Sequence, residues 1–522
     1  MAESLSQQFK ADLTQYDPSS LLRACAVVSS GLDKEGESHR LLSIEVPGAK
    51  GTSRQNIVVA HHGIAAVAMR AMWFHPWSGR KQPSGADVIR LFNNSNNLED
   101  PLMESDSDPR MLLVRIAYAQ FPYQEAFGTL IPRWLTLLLA SQPTGQALDI
   151  DREMEAAVGL SVKEFMAIGF ALLTAGWSHS AFSQESVTKT PVQPLNLVTT
   201  PDKVAAFLRA TSTTFHRFRE ECNKEVKENG DLGPYQFNPL IKRPIVVLPN
   251  GHLCVPVPRL LVHRITKGIY FDLLDRHSHQ HGNTFAEWFG LAFEEYGGVL
   301  LRHALPDAQV FSEPKYGKQE RKGPDWVVIQ RDKALVLEFR SGRLPKLVRA
   351  RADYEQVLGR IRSTLSDTAA KFPRKIEALR DGSAGIPTEG VSSYTPAIVT
   401  LEPWYPEALT LEYVRSQVAP DRTIPPDLQL MSISDLEWLL AWAASESPVD
   451  CLTAKLQDDP EQTVESYVAE RARSAGVELS PLPLLEETRE SFFEEMIGPA
   501  SALAGPRRQR RTMGLEEEGA PN

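Results

Sequence analysis

The stretch GPDWVVIQRDKALVLEFRSGR, residues 323–343, predicts an antiparallel hairpin that carries two acidic side chains. Two apolar runs of strand length flank a polar turn at residues 330–333. In a symmetric hairpin the numbers of paired residues have a constant sum, so Asp325 falls directly opposite Glu338. Like charges at such a position destabilise a bare sheet, because the two Cβ atoms are only about 4.5–5.5 Å apart. The pattern therefore predicts a positive group that compensates the two carboxylates.

The runs beside the two acids are apolar at successive positions, which is typical of a sheet covered on both faces. Charges in such a sheet are costly unless they are paired or bound to a metal. Two explanations stay open at this point. Asp325 and Glu338 bind a divalent cation such as Mg²⁺, which prefers carboxylate oxygens. Alternatively, Asp325 caps a turn and Glu338 pairs with Arg340, two residues further along the same face, or with Arg343.

The composition is that of a soluble protein with several domains: 522 residues, of which 42% are hydrophobic. The four cysteines are scattered singly, which argues against a zinc ribbon, a redox motif or a disulfide framework. The first residues lack the pattern of a signal peptide, and no long apolar run predicts a membrane span. We therefore expect a cytoplasmic protein with no membrane partner. Its net charge of -10 confines any nucleic-acid site to a local basic surface.

Periodicity and composition predict the domain organisation. Apolar residues at helical spacing fill 57–74, 108–121, 126–141 and 162–177. The predicted parts are an all-α domain at 1–185, a helical connector at 186–245, an α/β domain at 246–445, a helical extension at 446–504 and a disordered tail at 505–522. Ser434 and Glu437 have the spacing of a capping box for the helix that follows the last predicted strand.

Pro324-Asp325 followed by Glu338-Phe339-Arg340, on a hairpin between helices, resembles the signature of the PD-(D/E)XK nucleases. The resemblance extends over roughly residues 283–440, where FEEYGGVLLRHAL (293–305) is similar to the first core helix of that superfamily. It implies a mixed α/β fold: a restriction-endonuclease-like core, with a small mixed sheet flanked by helices, after the N-terminal all-α domain. It also implies hydrolysis of DNA phosphodiesters with Mg²⁺, for which Mn²⁺ is a substitute.

The same resemblance implies roles for individual residues. Asp325 and Glu338 would bind the metal, and Glu294 would complete or orient the site, with Glu287 seven residues earlier on the same helical face. The sequence departs from the superfamily at Arg340, where a lysine is expected.

Arginine stays protonated in proteins, so Arg340 can contact the scissile phosphate but cannot remove a proton. Three possibilities stay open. A metal-bound water supplies the base, a lysine has moved to another position, with Lys315 and Lys346 as candidates, or the fold is inactive.

A basic segment follows the predicted site. Between residues 340 and 380, eleven basic residues stand against four acidic ones, a local charge of +7. Such a segment suits a phosphate backbone, and the alternative is a solvated helix face. The predicted nucleic-acid contacts are Arg343, Lys346, Arg349, Gln356 and Lys315.

The sequence thus favours a Mg²⁺-dependent endonuclease that acts on DNA rather than RNA. By analogy with fused nucleases, it would serve in bacterial defence against foreign DNA, with the N-terminal helical domain binding a protein partner or a second copy of the chain. The alternative is a catalytically inactive nuclease fold that acts as a nucleic-acid-binding or scaffold subunit. In that case Arg340 would neutralise the two carboxylates internally.

Overall fold

The chain folds into a mixed α/β structure in which helices predominate. The computed structural model describes residues 5–34, 39–48, 51–74, 81–96, 98, 102, 108–125, 127–145, 147–189, 200–278, 283–316, 321–417 and 423–497. The predicted tail at 505–522 lies outside these residues.

The N-terminal part contains nine helices within the described residues, and one antiparallel ribbon. The helices are α1 (Leu5–Leu13), α2 (Pro18–Lys34), α3 (His61–Phe74), α4 (Gly85–Asn96), α5 (Arg110–Gln120), α6 (Phe127–Leu135), α7 (Ile150–Val158), α8 (Val162–Ser178) and α9 (Gln184–Lys189). The ribbon pairs β1 (His39–Gly48) with β2 (Gly51–Ala60), and the short β3 (Phe182–Ser183) follows α8.

The ribbon corrects the expectation of an all-α N-terminal part. Residues 57–60 belong to β2, so the helix predicted at 57–74 begins only at His61. The sequence Ile57-Val58-Val59 is rich in β-branched residues, which favour a strand.

The middle of the chain forms a second, small sheet. Its elements are α10 (Pro201–Thr211), β4 (Ser212–Thr214), α11 (Phe215–Asn229), β5 (Ile245–Val247), β6 (His252–Cys254), α12 (Pro258–Ile265) and α13 (Lys267–His277). The strand order is β3-β6-β5-β4.

The remaining elements build the main sheet and the helices around it. They are α14 (Thr284–Ala304), β7 (Gln309–Ser312), β8 (Lys315–Tyr316), β9 (Arg321–Lys322), β10 (Trp326–Gln330), β11 (Lys333–Arg340), α15 (Lys346–Arg351), α16 (Tyr354–Ile361), α17 (Asp367–Ala369), α18 (Phe372–Arg380), β12 (Ser393–Thr400), α19 (Glu407–Ser416), β13 (Gln429–Ser432), α20 (Ile433–Ala441), α21 (Pro448–Asp458), α22 (Val464–Ser474) and α23 (Pro483–Ile497).

The main sheet is mixed, with the strand order β13-β12-β11-β10-β7. Strand β10 is antiparallel to β7 and β11, whereas β11, β12 and β13 are parallel. Trp326 pairs with Leu337, and Gln330 pairs with Lys333, so the predicted register of the hairpin is confirmed. The carboxyl ends of the three parallel strands meet at one edge, beside the start of β10.

Both faces of this sheet are covered, as the apolar runs predict. One face, with Trp326 and Leu337, belongs to a core that includes α14 and α20. The other face, with Val327 and Val336, packs against helices α15 to α19. The first of these cores extends from Leu130 to Met496, so the predicted boundaries near 185, 245 and 445 fall inside it.

A buried ion pair ties the N-terminal helices to the main sheet. Arg133 of α6 donates two hydrogen bonds to Glu437 of α20, at 2.7 and 2.6 Å. Tyr296 of α14 donates a third to the same carboxylate, at 2.7 Å. Glu437 therefore does not form the predicted capping box with Ser434; Ser432 and Asp435 form it instead.

Helix α14 packs closely on the sheet through two consecutive glycines. A Cβ added to Gly297 would lie 2.1 Å from Cζ of Phe339, and one added to Gly298 would lie 2.0 Å from Cζ2 of Trp326. Real Cβ atoms do not approach other atoms so closely, so any other residue at either position would force the Phe339 or Trp326 ring to move.

We expect Gly298→Ala to lower the free energy of unfolding by about 1–3 kcal/mol, because the added methyl group displaces the Trp326 ring. Gly290→Ala, on the same helix, is the matched control, since its Cβ would meet nothing closer than 3.7 Å. That change should stabilise the protein by up to about 1 kcal/mol through helix propensity. Urea unfolding of both variants tests the difference, and equal midpoints would contradict the close packing.

Candidate functional site

Asp325 and Glu338 lie together at the edge where the parallel strands end. Asp325 immediately precedes β10, and its Oδ2 accepts a hydrogen bond from the backbone N–H of Phe339 at 2.7 Å. Glu338 points out of β11 into the protein, and only 1% of the residue is exposed. Two carboxylates thus occupy a nearly dry position, where each needs a positive partner.

Arg340 supplies one of those partners by bridging the two acids. Its Nη1 lies 3.3 Å from Oδ2 of Asp325, and its Nη2 lies 2.5 Å from Oε2 of Glu338. Its Nε donates a hydrogen bond to Oγ1 of Thr368 at 2.8 Å. The guanidinium is therefore engaged internally, although a quarter of the side chain stays exposed (25%).

Lys375 of α18 supplies the second partner, a contact that was not predicted from the sequence. Its ammonium group forms an ion pair with Oε1 of Glu338 and donates a hydrogen bond to the carbonyl of Gly323 at 2.7 Å. The residue is buried. A signal was present, because Lys375 shares the inner face of α18 with Phe372, Ile376 and Leu379 at helical spacing.

Of the two lysines that were predicted as replacements, Lys346 lies away from the two acids. Lys346 pairs instead with Glu225 at 2.8 Å, and its Nζ lies 3.8 Å from the centroid of the Phe237 ring. That prediction is wrong, because α15 turns Lys346 toward α11. Lys315 lies in β8, paired with Lys322, and its side chain is outside the described residues.

Glu294 of α14 is the third acid of the site. Its backbone carbonyl accepts a hydrogen bond from the Trp326 indole at 2.8 Å, which fixes α14 beside the start of β10. Burial, and then the nearby Asp325, raise the pKa of Glu294 to about 7, although Arg340 acts in the opposite direction. Glu287, seven residues earlier, is exposed.

The pKa values at the site follow from the closeness of its three acids and two cations. Burial and the charge of Asp325 raise the pKa of Glu338, while Lys375 and Arg340 oppose the rise. Burial acts to lower the pKa of Arg340, but Asp325 and Glu338 outweigh it and leave that pKa raised. Three carboxyl groups thus share two firmly held cations, and Glu294 is the least well compensated.

Several cations of the basic segment after β11 are paired with acids. Arg343 and Arg349 both pair with Glu402, at 3.4 and 3.5 Å, and Lys346 pairs with Glu225. Gln356 is exposed on α16. Acids from α11 and from the segment after β12 therefore lie against three members of the basic segment.

No family model, curated protein or solved structure matches the chain. Among the described residues, no group of three or more His, Cys, Asp and Glu side chains has the arrangement of a metal site. None of the described helices is by itself long and apolar enough to cross a membrane. The pair Ile150–Val158 and Val162–Ser178 meets that test only jointly, with a bend of 56°.

We expect Lys375→Met to lower the free energy of unfolding by about 3–5 kcal/mol, because one oxygen of the buried Glu338 loses its cation. Lys371→Met is the matched control, since Lys371 is exposed just before the same helix. Its effect should stay within about 0.5 kcal/mol. Urea unfolding measures both, and a tolerated Lys375→Met would show that Arg340 alone compensates Glu338.

The raised pKa of Glu294 predicts a pH-dependent stability. A carboxyl group with a pKa of about 7 in the folded state, against about 4.3 when unfolded, favours folding less as the pH rises between these values. Glu294→Gln should make the decline shallower, because other buried carboxyl groups such as Glu338 and Glu465 also have raised pKa values, and Glu287→Gln should leave it unchanged. Unfolding free energies at several pH values between 4.5 and 8 test this, and identical profiles for wild type and Glu294→Gln would contradict it.

Proposed function

We propose that the chain is a metal-dependent nuclease that hydrolyses phosphodiester bonds, with DNA as its substrate. The observation that carries this proposal is the convergence of Glu294, Asp325 and Glu338 at one edge of a mixed sheet with helices on both faces. The acids come from a helix and two adjacent strands, in the order that the PD-(D/E)XK resemblance implies.

The donors at this edge fit a hard divalent cation. Arg340 and Lys375 already engage Glu338 through both of its carboxylate oxygens. Asp325 uses only Oδ2 in its described contacts, and the Glu294 carboxylate has no hydrogen bond or ion pair within the described residues. Asp325 and Glu294 would therefore hold Mg²⁺ or Mn²⁺. The bound ion would lower the pKa of a coordinated water and stabilise charge on the phosphate.

The remaining residues then have separate roles. Arg340 is positioned by Thr368 and Glu338, and its exposed fraction can donate hydrogen bonds to a phosphate oxygen. Lys375 holds Glu338 and the carbonyl of Gly323, and so positions the segment before Asp325. Glu338 holds both cations and need not touch the metal.

One observation favours the non-catalytic alternative. Arg340 bridges Asp325 and Glu338, which is the arrangement expected where internal cations replace a metal. With Lys375 added, both buried acids are neutralised without any ion. In that case the chain would keep the nuclease fold as a binding or scaffold subunit.

A cleavage assay decides between the two. We expect the purified protein to cut plasmid, single-stranded DNA or RNA with Mg²⁺ or Mn²⁺ and not with EDTA, since the ion must bind at Asp325 and Glu294. Asp325→Ala should lower the rate at least about 100-fold, in line with the loss of one strong electrostatic group. The exposed Glu287→Ala is the matched control and should cut at the wild-type rate. Absence of cutting on every polymer, with nucleic-acid binding retained, would overturn the nuclease and favour the non-catalytic alternative.

A further inference from the structure

An aromatic and basic surface lies beside the segment that follows β11. Phe271 of α13 is 46% exposed, although most large apolar side chains of this region are buried. The guanidinium carbon of Arg343 lies 5.4 Å from the centroid of the Phe271 ring and 4.2 Å from that of Tyr270. We call Phe271, Arg343, Arg349 and Lys267 the aromatic-basic surface.

This surface is anchored to the core. The Tyr270 ring packs edge-on against Phe289, with centroids 4.7 Å apart, and against Phe271 at 5.3 Å. Phe289 belongs to the core that contains the main sheet. The exposed ring of Phe271 therefore rests on a fixed support, so little conformational entropy is lost when a ligand packs on it.

Arg343 is largely buried, with 9% of its side chain exposed, yet its hydrogen-bonding capacity is unused. Its Nη1 lies 3.4 Å from Glu402, but none of its three guanidinium nitrogens has a hydrogen-bond acceptor among the described residues. A guanidinium carries five N–H donors, and buried donors are normally satisfied. All three nitrogens are closed to solvent, so Arg343 acts on a ligand through its charge beside the Phe271 ring and not by direct hydrogen bonds.

The surrounding charges leave an excess of one positive charge. Arg343, Arg349 and Lys267 lie near Glu402, and Lys267 also lies near Glu125; Arg133, the other cation near Glu125, is paired with Glu437. Burial, and then Lys267, lower the pKa of the neighbouring His263 to about 4, so this imidazole is neutral at pH 7. Three cations against two carboxylates suit an anionic ligand.

We infer that the aromatic-basic surface binds single-stranded nucleic acid, with an unpaired base stacked on Phe271 and an adjacent phosphate near Arg349. This inference rests on the proposed function and adds a substrate class to it. A half-exposed aromatic ring beside cations is the combination that binds single strands, because every unpaired base offers a π-face. In a duplex the bases are already stacked, so the ring finds no partner.

The surface lies within reach of the candidate site. Arg343 follows Arg340 by three residues, so their Cα atoms are at most about 11 Å apart. A single strand that crosses the aromatic-basic surface would therefore enter the site at Arg340 within a few nucleotides.

Binding measured without cleavage tests the inference. Fluorescence anisotropy with the full-length chain in EDTA compares single-stranded DNA, single-stranded RNA, the DNA duplex of the same sequence and a DNA strand with abasic sites. We expect both single strands to bind more tightly than the duplex, and a preference between them identifies the polymer. Phe271→Leu should weaken single-strand binding about 5- to 150-fold, the range for one stacked base. It should leave binding of the abasic strand unchanged.

Two variants separate stacking from a folding defect. Phe271→Trp should keep the wild-type affinity, because it retains an aromatic surface. Val477→Ala, at another exposed apolar residue (44%), should also leave binding unchanged. Tighter binding of the duplex, or an unchanged affinity of Phe271→Leu for single strands, overturns the inference. Because EDTA prevents cutting, either result leaves the separate cleavage test of the nuclease intact.

Discussion

The charge of Glu338, buried near the end of an otherwise apolar strand, is the constraint on which the site and its surroundings depend. A carboxylate at this depth persists only with excellent partners. Arg340 lies on the same strand as Glu338, and Lys375 lies on helix α18. Lys375 also holds the carbonyl of Gly323, just before Asp325. The charge of Glu338 thus fixes the positions of α18, of the segment before β10 and of the Arg340 guanidinium.

The hairpin could be predicted from the sequence because the residues that determine it are close together along the chain. The turn residues set the register, and two apolar runs show that both faces are covered. The partners of its charges could not be predicted in the same way. Thr368 and Lys375 lie 28 and 37 residues beyond Arg340 and Glu338, and which cation reaches which acid depends on how α17 and α18 pack. The spacing of residues along the chain does not reveal how these two helices pack.

The two local errors have a common cause, since each pattern had two solutions. Ser432 with Asp435 and Ser434 with Glu437 both have the spacing of a capping box, and tertiary contacts decide between them. Arg133 and Tyr296 require Glu437 in the core, so the first pair caps the helix. Similarly, Ile57 to Ala60 fit either the end of a strand or the start of a helix, and pairing with β1 selects the strand.

The Arg133–Glu437 pair also bears on how this chain can change over evolutionary time. Arg133 lies in the first third of the sequence and Glu437 near its end. The two buried charges nevertheless neutralise each other. A gene fusion that transferred the sheet without α6 would leave Glu437 uncompensated, at a cost of about 3–5 kcal/mol, which is a large fraction of the stability of a typical protein. A chain recombined between the helical part and the sheet would therefore lose stability.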